Sequence, residues 1–162
     1  MNTNKRTQNI VKIALVAAIY AVLTIGLNPI SYGAIQFRLS EVMVLLAFID
    51  PLYIPGLVLG CAIANLFSPL GIVDVVVGSF ATFISVYMIS KSKRLFAASL
   101  WPTINCIFVG AELHFILELP FWLTTLQVAL GEFVVVTIIG YPLFKYMILN
   151  NKNLINALKI NT

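Results

Sequence analysis

Residues 36–80, QFRLSEVMVLLAFIDPLYIPGLVLGCAIANLFSPLGIVDVVVGSF with Phe80 last, decide how this chain is built. The stretch sets Arg38 and Glu41 directly against an apolar run, breaks that run at Asp50-Pro51, and opens another with Asp74. Charges at the ends of apolar segments mark a site at a membrane boundary. An ionisable side chain in hydrocarbon costs several kcal/mol and persists where it faces protein and has a task. The composition around the stretch agrees: of 162 residues 60% are hydrophobic and 10% charged, and the mean hydropathy is +1.00. A soluble globule carries about 25% charged residues, so this chain reads as an integral membrane protein. Its formal charge of +4 lies in short clusters between apolar segments rather than along an exposed face. That pattern sets topology and does not point to nucleic acid. Cys61 and Cys106 fall inside apolar runs and read as small core residues, not as a disulfide or metal pair.

Working outward, residues 1–8 are polar and basic, with Lys5 and Arg6, and residues 10–27 form an unbroken apolar segment long enough to span. No small-residue cleavage site follows and Asn28-Pro29 reads as a helix end, so this is a first membrane helix rather than a signal peptide. Two overlapping small-residue pairs lie on it, Ala14 with Ala18 and Ala17 with Ala21. Either pair gives a smooth stripe for a close helix neighbour, in another chain or in its own bundle. The number of crossings turns on whether residues 42–67 form one helix or two. One helix gives five spans and, with a cytoplasmic N-terminus, leaves Lys91, Lys93, Arg94 and the C-terminal tail outside, against the positive-inside rule. Two helices give six spans. Lys5, Arg6, Lys12, Lys91, Lys93, Arg94, Lys145, Lys152 and Lys159 then lie on or near the cytoplasmic side and only Arg38 lies outside. Pro51 supplies a local cause for the break, since it lacks an amide hydrogen and disfavours helix in the residue before it.

The expectation is therefore an all-α bundle of six transmembrane helices in a single domain, 1–162, with both termini cytoplasmic. The helices are expected at about 10–27, 39–49, 52–66, 72–90, 95–117 and 120–149, followed by an Asn/Lys-rich tail that needs no fold. The second helix is short and must tilt, thin the bilayer or be shielded by neighbours. Gly56, Gly60 and Ala64, at four-residue steps, form a packing face on the third.

On this topology the acids converge. Glu41, Asp74, Glu112, Glu118 and Glu132 lie toward the outer face with Arg38, and only Asp50 lies on the inner side. Asn105 and Glu112, seven apart, share one face of the fifth helix; His114 and Glu118, four apart, share a nearly opposite one. The deeper pair, Asn105 and Glu112, is assigned to a pocket, with His114 and Glu118 at its rim. On the sixth helix Phe121, Thr125 and Glu132 share a face, and an aromatic beside a buried carboxylate suits a flat polar ligand. Trp122 is either a ligand contact or an interfacial anchor, and Asp74 is either a ligand contact or a first-turn charge favoured by the helix dipole. Arg38 is expected to pair with Glu41, three residues on, and hold the first outer loop. The substrate-binding candidates are Arg38, Glu41, Asp74, Asn105, Glu112, Phe121, Trp122 and Glu132; no catalytic or metal-binding residue and no cofactor is expected.

Missing motifs narrow the chemistry. There is no GxxxxGK[ST] phosphate loop. One histidine cannot make an HExxH zinc site, and two similar halves with interrupted helices, common in secondary transporters, are not seen. Six spans with an outer pocket and no motor describe a binding subunit that takes its energy from a partner.

The strings QFRLSE, IDPLYIPGLVLGCAIANLFSPLG and IVDVVVGSFAT carry a resemblance to a known family. The chain resembles the substrate-specific (S) components of energy-coupling factor (ECF) transporters, and within them the QueT family, over nearly all six helices. The resemblance implies a prokaryotic, multi-pass plasma-membrane subunit that takes up queuosine precursors, binds substrate near the outer face, and docks on a transmembrane T subunit attached to two ATPases. Its first-helix AxxxA contact for the T subunit corresponds to Ala14 and Ala18, with Ala17 and Ala21 as the overlapping register. The implied ligand is a 7-deazaguanine such as pre-queuosine or queuine. A glutamate can accept from the N–H groups of its guanine-like edge, an Asn105 amide can meet its carbonyl, and an acidic outer pocket suits its amine. Another cationic vitamin-like compound such as thiamine satisfies the same residues. A small integral membrane enzyme using Glu112 or Glu132 as acid or base is the alternative of another class.

Overall fold

The computed structural model describes residues 3–160, and among these there is no strand. The helices are α1 (Thr3–Gly26), a single turn α2 (Asn28–Ser31), α3 (Leu39–Ile49), α4 (Pro51–Asn65), α5 (Ile72–Lys91), α6 (Leu95–Leu117), α7 (Phe121–Ile148) and a short α8 (Lys152–Leu158). Four of them, α1 from Arg6 together with α5, α6 and α7, are long and apolar enough to cross a membrane, while α3 and α4 are shorter apolar helices. Many large side chains on their outer faces are exposed, among them Val22, Val76, Ile104, Leu126 and Ile138. That is the inverse of a soluble protein's surface and the form that lipid demands.

The short α3 lies in the middle. It packs against α1, against α5 and against the second half of α7, and Val44, Leu45 and Ala47 on it have no exposed surface. Its first seven residues, Leu39–Leu45, are 3-10 helical and only the last four are α-helical. The tighter helix rises about 2.0 Å per residue, so the segment reaches roughly 20 Å, well below the ~30 Å of a hydrocarbon core. Shielding by neighbours is therefore how this segment meets the constraint on short helices. Asp50 then turns the chain in an extended conformation and caps the next turn, its side chain accepting from Leu52 N at 3.0 Å; α4 runs back between α1 and α5.

The α1–α4 contact is set by small residues. A side-chain carbon on Gly60 would lie 2.8 Å from Tyr20 Cβ and 2.9 Å from the Ala17 carbonyl oxygen, and one on Gly56 would lie 2.6 Å from the Ile13 carbonyl. Only hydrogen fits at either position. The Gly56, Gly60, Ala64 face is thus a packing face, and it holds the side of α1 that carries Ala17 and Tyr20.

Prolines shape the other long helices. In α6 Pro102 removes one backbone donor, and Thr137 of α7 donates to the Ser99 carbonyl at 2.9 Å in the turn that Pro102 disturbs. From Phe133 onward α7 is wound as a π-helix on both sides of Pro142. That register absorbs a residue without an amide hydrogen while the chain stays helical.

The C-terminal segment, expected to need no fold, is tied down instead. Asn151 caps α8, accepting from Asn153 N at 3.0 Å and Leu154 N at 3.3 Å. At the other end of α8, Lys12 Nζ donates to Ala157 O at 2.7 Å and Lys159 O at 3.1 Å, and Tyr53 OH donates to Leu158 O at 2.6 Å. Ile160 N donates to Asp50 Oδ2 at 2.8 Å and the Ile160 side chain is buried. The last carbonyls of a helix lack donors of their own, and a lysine there also complements the dipole. Sequence reading missed the segment because its partners, Lys12, Asp50 and Tyr53, are all more than a hundred positions away.

Gly60→Ala is expected to destabilise the chain by about 1–3 kcal/mol, the usual cost of overpacking, whereas Gly26→Ala, where a side-chain carbon meets nothing within 4 Å, leaves stability unchanged. Thermal melting of both variants in one detergent compares them directly.

Candidate functional site

The site is built where loop 32–38 folds back over the bundle. Gln36 adopts a left-handed backbone conformation, φ 52°, and carries the chain into a tight turn in which Arg38 N donates to Gln36 O at 2.9 Å. Non-glycine residues rarely hold such a conformation except where the surroundings fix it. Here α7 does so. A side-chain carbon on Gly131 would collide with the Ile35 carbonyl and come within 3.1 Å of the Gln36 carbonyl, so glycine lets the loop lie on the helix beside Glu132.

Arg38 ends the loop and is 6% exposed. Its Nη2 lies 3.6 Å from Asp74 Oδ2, its Nε donates to Ser31 O at 3.4 Å, and its guanidinium sits 5.3 Å from the centre of the Tyr32 ring. Burial holds the Tyr32 phenol above its usual value, with Arg38 pulling the other way. Its protonated hydroxyl donates to Ala64 O at 2.6 Å. The expected Arg38–Glu41 pair is not made: Glu41 instead accepts from the Tyr20 hydroxyl of α1. The reason is the backbone. Arg38 is extended, φ −85° and ψ 90°, and helix begins only after it, so a three-residue spacing does not place the two side chains on one face.

Behind the loop is a cavity of about 40 Å³. Gln36, Arg38 and Glu41 form its wall on the loop and α3, and α5 contributes Gly78, Ala81, Thr82 and Ser85. The remaining wall comes from α6, including Asn105 and Val109, and from Val128 and Glu132 of α7. Most of the polar groups are already engaged. Asn105 Nδ2 donates to Ser85 Oγ at 3.0 Å and to the Ala81 carbonyl; Thr82 donates to Cys61 Sγ at 3.2 Å. Glu132 is the exception: it is 9% exposed and its Oε2 has no hydrogen-bond partner. A volume of 40 Å³ holds a few waters, against ~300 Å³ or more for the usual small-molecule pocket. A ligand the size of a bicyclic base therefore needs the loop and helix walls to part.

Of the eight substrate-binding candidates, Arg38, Glu41, Asn105 and Glu132 line the cavity. Asp74 stands outside the lining, in the first turn of α5, as the ion-pair partner of Arg38, and its backbone carbonyl accepts from Asn65 Nδ2 at 2.9 Å. Glu112 is 5% exposed and follows Val109 by one turn of α6; neither of its oxygens has a hydrogen-bond partner. Phe121 and Trp122 pack on each other, ring centres 4.9 Å apart, at the start of α7 and away from the cavity, with Trp122 69% exposed. His114 and Glu118 are exposed as well. On α1 the two alanine registers separate: Ala17 and Ala21 are buried in the bundle, whereas Ala14 and Ala18 are exposed. Cys61 and Cys106 are buried free thiols.

Among the contributors that escaped the sequence reading are Gln36, Ser85 and Tyr20. Gln36 heads the QFRLSE string, where a polar residue beside an aromatic was a usable signal. Ser85 lies four residues from Ala81 and seven from Gly78, so a small-residue stripe on α5 marked that wall. Tyr20, in the middle of an apolar helix, gave no sign beyond its hydroxyl, which requires a partner when buried.

A family model described as QueT transporter matches residues 10–148. The chain is also similar to the queuosine precursor transporter QueT of Lactococcus lactis subsp. cremoris (strain MG1363), 39% identical over 145 residues that cover 79% of this chain and 85% of the relative. No solved structure matches the chain. With the match running from residue 10 in α1 to residue 148 at the end of α7, this chain belongs to the QueT transporter family.

Proposed function

We propose that the chain is the substrate-specific component of an ECF-type importer and binds a queuosine precursor, a 7-deazaguanine bearing an amine, in the cavity behind loop 32–38. The single observation that carries the ligand assignment is Glu132, a buried cavity carboxylate with an unpartnered oxygen. A guanine-like edge offers adjacent N–H donors to such a carboxylate, and charge-assisted bonds of this kind are about twice as strong as neutral ones. The name of the Lactococcus relative agrees with this ligand class. Gly78, Ala81 and Val128 give flat aliphatic walls against which a planar ring can lie, and no aromatic side chain among the described residues lines the cavity, so aliphatic contact takes the place of the stacking expected from Phe121.

Six spans with both termini cytoplasmic fit the charge distribution. Lys12 of α1 hydrogen-bonds α8, so the first and last helices meet at one end of the bundle, the end that also holds Lys91, Lys93 and Arg94. That is the positive-inside side, and the cavity, with Arg38, opens toward the other. With no phosphate loop in the sequence, the energy for import comes from partner ATPases through a T subunit. Its docking face is the exposed side of α1, where Ala14 and Ala18 form a smooth stripe beside Val11, Leu15 and Val22.

Glu132→Gln is expected to weaken binding of the deazaguanine at least tenfold, about 1.4 kcal/mol, while leaving the melting temperature in detergent unchanged or higher, since it removes a buried charge and keeps the size of the side chain. Calorimetric titration of the purified variant reads the first and thermal melting the second; an unchanged affinity sinks the role given to Glu132. Ala14→Trp and Ala18→Trp are expected to abolish uptake in cells that supply the T subunit and ATPases and to leave binding by the isolated chain intact. Ala17→Trp, aimed into the α1–α4 contact, loses the fold instead. Loss of binding in the first two variants returns their stripe to internal packing.

A further inference from the structure

The charges of the site divide into two groups on either side of Arg38. Glu132 lines the cavity together with Glu41 and Arg38. Glu112 lies beside Asp74, the ion-pair partner of Arg38. Arg38 is the single buried base at this end of the described chain, against four buried acids. It is committed to Asp74 at 3.6 Å, to the Ser31 carbonyl and to the Tyr32 ring. Glu112 is left with both oxygens buried and without a donor.

We propose that Glu112, with Asp74 beside it, forms a second subsite one turn beyond the Val109 wall, which takes the primary ammonium of the ligand while Glu132 reads the ring. The subsite rests on the assignment of an amine-bearing deazaguanine and adds to it which residue discriminates the amine. Leaving one side of a buried charge pair without its partner is strongly destabilising, so an unpaired Glu112 is accounted for by a cation that arrives with the ligand. An ammonium suits the position. It is a compact point charge with three N–H donors, and the carboxylates of Glu112 and Asp74 offer acceptors without the flat, two-pronged arrangement that a guanidinium takes up. A divalent metal does not fit, because among the described residues no three His, Cys, Asp or Glu side chains are grouped to hold one. The placement also follows the helix: Asn105, Val109 and Glu112 recur at spacings that keep one face of α6 toward α5, so a ligand lying along Asn105 and Val109 brings a short substituent to Glu112.

The test uses the purified full chain and two ligands of nearly one shape, 7-aminomethyl-7-deazaguanine, which is cationic, and 7-cyano-7-deazaguanine, which is neutral. Wild-type protein is expected to bind the aminomethyl compound at least tenfold more tightly, and Glu112→Gln to reduce that ratio at least tenfold. Glu132→Gln weakens both ligands and keeps the ratio. If Glu112→Gln does not fold, the wild-type comparison still decides, because equal affinity for the two ligands overturns the subsite. A ratio that survives Glu112→Gln also overturns it and leaves the deazaguanine assignment standing. If the wild-type chain binds neither compound, that assignment falls and takes the subsite with it.

Discussion

One arginine buried among carboxylates is the constraint on which the rest of the structure depends. Arg38 cannot be left in a low-dielectric interior without a partner, and its ion pair with Asp74 fixes the end of loop 32–38 against the first turn of α5. With Arg38 taken, Glu41 needs another donor and finds it in Tyr20 of α1, which ties the start of α3 to the first helix. Two acids, Glu112 and Glu132, then remain with unpartnered oxygens. A bundle that retains them has a buried surplus of acceptors and of negative charge, which is the complement of a cationic heterocycle with several N–H groups.

Packing supports this arrangement by keeping the polar layer narrow. The small faces of Gly56 and Gly60 bring α1 and α4 so close that backbone meets backbone, and the short α3 is enclosed by α1, α5 and α7. Its unusual 3-10 turn lets it reach further per residue and present Glu41 near the loop. At the opposite end Asp50 turns the chain and, together with Lys12 and Tyr53, receives the C-terminal segment. The two ends therefore differ in kind: one is sealed by backbone hydrogen bonds to the C-terminal strap, the other by a loop folded over a cavity. Opening is cheaper at the second, where the loop and the helix walls behind it can part without breaking the hydrogen bonds of the C-terminal strap.

Much of this was legible in the sequence, for identifiable reasons. Apolar runs of spanning length, a Pro-marked break at 50–51 and four-residue steps of glycine are local signals, and the helices and the α1–α4 packing face follow them. Ionisable and polar residues inside apolar runs had to be buried together, which placed Arg38, Glu41, Asn105 and Glu132 around one space. Partner choice was not legible. Whether Arg38 meets Glu41 or Asp74 depends on its extended backbone, a property of one residue that spacing rules assume to be helical. Phe121 was assigned to the pocket because it shares a face with Glu132, yet it lies about three turns earlier on α7. Helical spacing gives direction around an axis and leaves depth open. The docked C-terminal segment and the left-handed Gln36 arise from long-range contacts that no local pattern carries.

The most direct test of the account is a calorimetric titration of the purified chain, without partner subunits, against 7-aminomethyl-7-deazaguanine, guanine and thiamine. Tight binding of the deazaguanine, with guanine at least tenfold weaker and thiamine not bound, is the predicted result, because on this account Glu132 takes the ring edge and the buried acids beyond the cavity take the amine. Tight binding of thiamine, or equal binding of guanine and the deazaguanine, contradicts it.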